Sequence, residues 1–65
     1  MITVNGKETG LEAGITVSEC LEANHYQIRR IAVELNGTIV PKSDYSSTVL
    51  KDGDKLEIVS FVGGG

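Results

Sequence analysis

The chain has 65 residues, 40% of them hydrophobic and 23% charged, with a formal net charge of −3. This is the composition of one small globular domain, not of a disordered chain. The acid excess argues against nucleic acid as a partner, and no apolar stretch approaches the about 20 residues that a membrane span needs.

In chain order, Ile2 and Val4 alternate with Thr3 and Asn5, the period of a half-buried strand. Asn5-Gly6 is a strong hairpin signal, so Lys7 to Leu11 is read as a short, polar returning strand. Thr16 stands three residues before Glu19, the spacing of a capping box, and Ile15 and Cys20 fall at the two positions of a hydrophobic staple. A helix of about eight residues, Val17 to Asn24, follows, with Val17, Cys20, Leu21 and Asn24 on one face. So short a helix must pack on a sheet to persist.

Ile31, Val33 and Leu35 then point one way, Ala32 and Glu34 the other. Asn36-Gly37 is a second turn signal, and Thr38 to Val40 resumes a strand that Pro41 ends. "KSDYSST" reads as loop or a single tight helical turn, and "KDGD" as a turn. Lys55 to Val62 is the longest strand candidate, with Leu56 and Ile58 on the core face and Val59 and Phe61 on the other. The element order predicts an α+β fold: a mixed sheet of four to five strands with one main helix packed on one face. The first and last strands lie side by side in parallel at its centre. That arrangement is the ubiquitin-like β-grasp. The domain is expected over residues 1–62, with a flexible glycine tail over 63–65.

Gly63, Gly64 and Gly65 offer nothing to pack and lose the most chain entropy when ordered, so the tail is either a frayed end or the working part. The single cysteine, Cys20, excludes an internal disulfide and a multi-cysteine zinc site, and on the apolar helix face it reads as a small core residue. No histidine or cysteine stands ready to form a site with His25, which is read against the helix dipole. Asp52 and Asp54 read as turn residues around Gly53, and Tyr45 as packed over a core edge. Arg29-Arg30 reads as a local contact to the acidic surface. The opening "MITVNGKETG" lacks the basic and apolar regions of a signal peptide, so a cytoplasmic location is expected. With no nucleophile–base pair, metal set or phosphate loop in the sequence, an enzyme is not expected.

Four stretches, in order and almost without gaps, carry a family resemblance: "VNGKE", "TVSECLEA", "RRIAVELNGTIVPKSDY" and "LKDGDKLEIVSFVGGG". They resemble the sulfur carrier proteins of thiamine biosynthesis, the ThiS family. The more specific parts are "AVELNG" followed by "IVP", and "DGDKLEIV" running into "GGG". Cys20 departs from the leucine expected there. The resemblance implies a carrier, not an enzyme. An activating enzyme uses ATP to adenylate the carboxylate of Gly65, sulfur from a cysteine desulfurase-type donor converts it to a thiocarboxylate, and thiazole synthase takes the sulfur. Gly63 and Gly64 thread the tail into the partner's site. The carrier itself binds no cofactor or metal and is expected to be a monomer. Val59, Phe61 and Val62 are the candidate partner-binding residues, an exposed apolar group beside the tail with Glu34 and Glu57 on the same face. A carrier for molybdopterin or tRNA thiolation, a protein modifier, and an interaction module with an idle tail remain the alternatives.

Overall fold

The computed structural model describes residues 1–61. Strands β1 (Thr3–Val4), β2 (Lys7–Glu8), β3 (Ile31–Leu35), β4 (Thr38–Val40) and β5 (Lys55–Ser60) form one sheet in the order β2-β1-β5-β3-β4. β1 runs parallel to β5, and the other neighbours are antiparallel. Helix α1 (Val17–Ala23) is the crossover that makes the parallel pair possible. This is the expected ubiquitin-like β-grasp. Among the described residues no helix is long and apolar enough to cross a membrane.

Both Asn-Gly pairs form two-residue hairpin loops, flanked by the pairs Val4–Lys7 and Leu35–Thr38. Asn5, Gly6, Asn36 and Gly37 all have positive φ, the requirement of the tight turn that matches strand twist. The first hairpin is shorter than expected. The strand ends at Glu8, and one further rung follows, with the Thr9 N–H and hydroxyl both donating to the Ile2 carbonyl.

Helix α1 forms through the predicted capping box. The Glu19 N–H donates to the Thr16 hydroxyl at 3.1 Å, and the Thr16 N–H donates to Glu19 Oε1 at 2.8 Å. The two preceding orphan donors are met by the long loop after β4. The Val17 N–H donates to the Thr48 carbonyl at 2.9 Å, and that of Ser18 to the Tyr45 carbonyl at 2.8 Å. A seven-residue helix holds because its first turn is tied down and its inner face, Val17, Cys20 and Leu21, is buried. It ends one residue earlier than expected, with Asn24 as C-cap. The Tyr26 N–H then reaches the Leu21 carbonyl and the His25 N–H that of Glu22. This is a Schellman closure with His25 in the left-handed position at φ 62°. His25 is thus a backbone turn residue, and it stands just past the helix C-terminus, where the sequence reading put it.

Beneath the helix lie Ile2, Val33, Leu56 and Ile58 from the sheet, joined by Tyr45 and Leu50 from the loop. Leu50 is fully buried, and its N–H donates to the Ile15 carbonyl at 2.7 Å, which closes the loop over the helix entry.

Candidate functional site

The site builds outward from β5. Its side chains alternate, so Leu56 and Ile58 enter the core while Glu57 and Val59 face away from the helix. The expected phase is the observed one. β5 is shorter than read, ending at Ser60, but one further bond from the Phe61 N–H to the Arg30 carbonyl (2.7 Å) carries the pairing to Phe61.

Val59 is 58% exposed and Phe61 59% exposed, so two of the three residues read as a partner surface stand open on the outer side of the sheet. The third, Val62, lies outside the described residues, as do Gly63, Gly64 and Gly65. Across the register Val59 faces Ala32, and Glu57 faces Glu34, which in turn faces Ile39 on β4. Ile39 is 69% exposed and extends the apolar surface toward the sheet edge. It went unread as a surface residue, although its alternation with the buried Val40 was the available signal. Two carboxylates opposite one another, Glu34 and Glu57, repel, a local cost that a cation from outside would offset.

Two side-chain amides hold β5 in place. Asn36 donates from Nδ2 to Asp54 Oδ1 at 3.0 Å and accepts the Lys55 N–H at Oδ1 at 2.9 Å. Asn5 accepts the Ile58 N–H at 2.7 Å and donates to the Ile58 carbonyl at 3.2 Å, so its amide takes the place of the next peptide of β1. Asp54, read as a turn residue, is also a buried carboxylate. Burial pushes its carboxyl up, but the Lys51 N–H, the Asn36 amide and the Lys51 charge outweigh this and hold it below the ordinary value.

The remaining candidates are structural. Burial pushes the Cys20 thiol up, against a weaker opposing contact from the Asn24 amide, which leaves an unreactive core thiol. Tyr45 is buried, and its hydroxyl is likewise pushed up by burial, opposed by a hydrogen bond with the Val33 backbone. Arg29 and Arg30 make no ion pair, since among the described residues the sole one joins the Met1 amino group to Asp52. The local acidic contact expected for the arginines is absent there because no carboxylate lies within 4.0 Å of either. Among the described residues no three His, Cys, Asp or Glu side chains gather as metal ligands.

Residues 2–65 match the ThiS family. The chain is 47% identical over 64 residues to a thiazole synthase of Paramagnetospirillum magneticum, with 98% of this chain and 20% of that protein covered. It thus spans about a fifth of the length of the thiazole synthases it matches, a second being that of Magnetococcus marinus. It is 35% identical to the sulfur carrier protein ThiS of Bacillus subtilis, with both chains covered in full. The crystal structure of the thiamine biosynthesis protein ThiS from Geobacter metallireducens superposes with a TM-score of 0.79 at 37% identity, covering 98% of this chain and 97% of that one.

Proposed function

The chain belongs to the ThiS family, and from that premise we propose that it is a sulfur carrier of thiamine biosynthesis whose working group is the carboxylate of Gly65. The observation that carries this reading is the outer face of β5. An exposed apolar pair, Val59 and Phe61, stands where a strand anchored in the core runs out toward Gly63, Gly64 and Gly65.

The chemistry follows from the electrophile. A carboxylate is a poor acyl donor. Attack of the Gly65 carboxylate on the α-phosphate of ATP, in the activating enzyme, releases pyrophosphate and makes an acyl adenylate with a good leaving group. Sulfur from a persulfide donor of the cysteine desulfurase type displaces AMP. A thiol then takes up the remaining sulfur as a disulfide, leaving the thiocarboxylate. Thiazole synthase draws the sulfur from it, so the chain serves as a protein co-substrate and not as a catalyst.

The tail and the body divide the work. Three extended residues span about 10 Å, and glycines without Cβ atoms pass a narrow channel into a partner's closed site. Threading costs entropy, so affinity must come from the body. Val59, Phe61 and Val62 supply an apolar contact, extended by Ile39, and Glu34 and Glu57 meet basic groups around it. ATP is bound by the partner, and the carrier acts as a cytoplasmic monomer.

The test is the intact mass of the chain after incubation with ATP, a sulfur donor and the activating enzyme. An oxygen-to-sulfur increase that maps to Gly65 and is lost on deleting Gly65 is the expected result. An unchanged mass beside a loaded control carrier overturns the reading. Phe61→Ala is expected to weaken binding to both enzymes by about tenfold, and unchanged affinities would remove the outer face from the proposal.

A further inference from the structure

A second surface adjoins the outer face at Phe61, and what it offers follows from the backbone of β5. Ile31 faces Ser60 in the register, and the Phe61 N–H donates to the Arg30 carbonyl. In an antiparallel ladder this places the Ser60 N–H and C=O on the side away from β3. On that side β1 pairs only with Lys55 and Leu56, and the Asn5 amide then occupies both peptide groups of Ile58. The ladder stops there. Among the described residues none bonds the Ser60 N–H or C=O, so the sheet has an open edge where β5 leads into the tail.

A groove of about 330 Å³ runs beside that edge, lined among others by His25, Tyr26, Arg30, Ile31, Ser60 and the Phe61 of the outer face. Its charge runs against that of the molecule. The chain has nine acidic and six basic residues, yet Arg30 lines the groove with no carboxylate within 4.0 Å among the described residues.

We infer that this groove receives an extended, acidic segment of the enzyme that takes the tail, added as a short strand at the Ser60 edge with a carboxylate on Arg30. The inference rests on the carrier reading above. Strand addition draws affinity from main-chain bonds, and the guanidinium selects an acidic side chain on the segment. A nucleotide phosphate fits less well. The adenylate would sit on Gly65, four residues past Phe61 and up to about 13 Å away along an extended chain. A phosphate also leaves the Ser60 N–H without the carbonyl of a neighbouring strand. Partner strands on this edge would fix the direction in which the tail departs.

Two substitutions separate the charge from the edge. Arg30→Glu reverses the charge. Ser60→Pro removes the N–H on the open side and no bond to β3, a position where a sheet tolerates proline. Binding of the full chain to purified activating enzyme and to purified thiazole synthase is measured at low and high salt. Unchanged exchange of the Phe61 N–H in the free variants confirms that β5 is intact. For at least one enzyme, Arg30→Glu is expected to lower affinity about tenfold and flatten the salt dependence. Arg30→Lys should retain most of the affinity. Ser60→Pro is expected to cost about fivefold, and the wild-type Ser60 N–H to gain exchange protection in the complex. Wild-type affinity of both variants for both enzymes, or an unprotected Ser60 N–H in each complex, overturns the inference, as does a loss confined to the KM for ATP. Normal sulfur loading with unimpaired variants sinks the groove alone. Tight binding without sulfur loading sinks the carrier reading alone.

Discussion

The two hairpins carry the same dipeptide, in the same conformation, and each turns its asparagine onto β5. Asn5 has φ 52° and Asn36 φ 51°, and each is followed by a glycine at positive φ. Their amides nevertheless do different work. Asn36 acts at the start of β5, sharing a buried carboxylate with the Lys51 N–H. Asn5 acts in the middle of β5, 53 residues away in sequence, as a surrogate peptide where β1 runs out. The first amide is locked to a charge, and the second ends a ladder. One local signal thus serves two tertiary roles, and only the turn belongs to the signal itself.

The largest effect that separates them is expected from Asn36→Gly. Glycine keeps the left-handed turn, so the change isolates the amide. It leaves the Asp54 carboxylate short of a donor inside the protein and the Lys55 N–H without its acceptor. We expect a loss of about 2 kcal/mol by denaturant unfolding. In a domain of this size that is a large part of the roughly 3–10 kcal/mol available. The loss depends on pH. The folded-state value of Asp54 is depressed, so its contribution is present above the ordinary carboxylate range near 3.9 and fades as pH falls through the folded value. The gap between wild type and Asn36→Gly should therefore be widest near neutrality and narrow in acid. A gap that stays constant down to pH 3 would show that the carboxylate takes no part.

Asn5→Gly is expected to cost less, about 1 kcal/mol, because its amide meets only the neutral peptide groups of Ile58, whereas that of Asn36 donates to a buried carboxylate. Its cost should be flat across the same pH range. The sharper difference is local. Amide exchange of Ile58 should accelerate in Asn5→Gly while that of Lys55 does not, with the reverse in Asn36→Gly. Equal acceleration at both positions in both variants would mean that β5 opens as one unit and that the clamps are not separate.

Legibility in the sequence follows the same line. The turns, the capping box, the staple and the two faces of β5 were readable because each is set by residues within five positions of one another. Val59 and Phe61 were placed by alternation alone. Leu50 was not recognised as core, because a loop has no period and its burial depends on where the chain crosses the helix entry. Asp54 looked like a turn acid because its donors, Lys51 and Asn36, could be assigned only once the second hairpin lay against the last turn. The isolation of Arg29 and Arg30 is likewise a fact of tertiary placement, since nine acidic residues in the sequence suggested partners for them.

The smallest expected effect comes from the third residue that holds a positive φ without being glycine. His25 closes helix α1 at φ 62°, but unlike Asn5 and Asn36 its side chain makes no hydrogen bond among the described residues. The conformation costs a residue with a Cβ on the order of 1 kcal/mol. His25→Gly should remove that strain, at some cost in the entropy of the unfolded chain. The net expectation is a gain of about 0.5 kcal/mol, or a Tm higher by about 2–4 °C. A gain here would divide the three positions by what they serve. At Asn5 and Asn36 the side chain repays the strained backbone with bonds inside the fold, whereas at His25 nothing inside the fold does so. Since His25 lines the groove beside Ser60, a more stable His25→Gly variant that binds the tail-receiving enzyme less tightly would place the return in the complex. A variant that is both more stable and equally well bound would leave the histidine without a role in either.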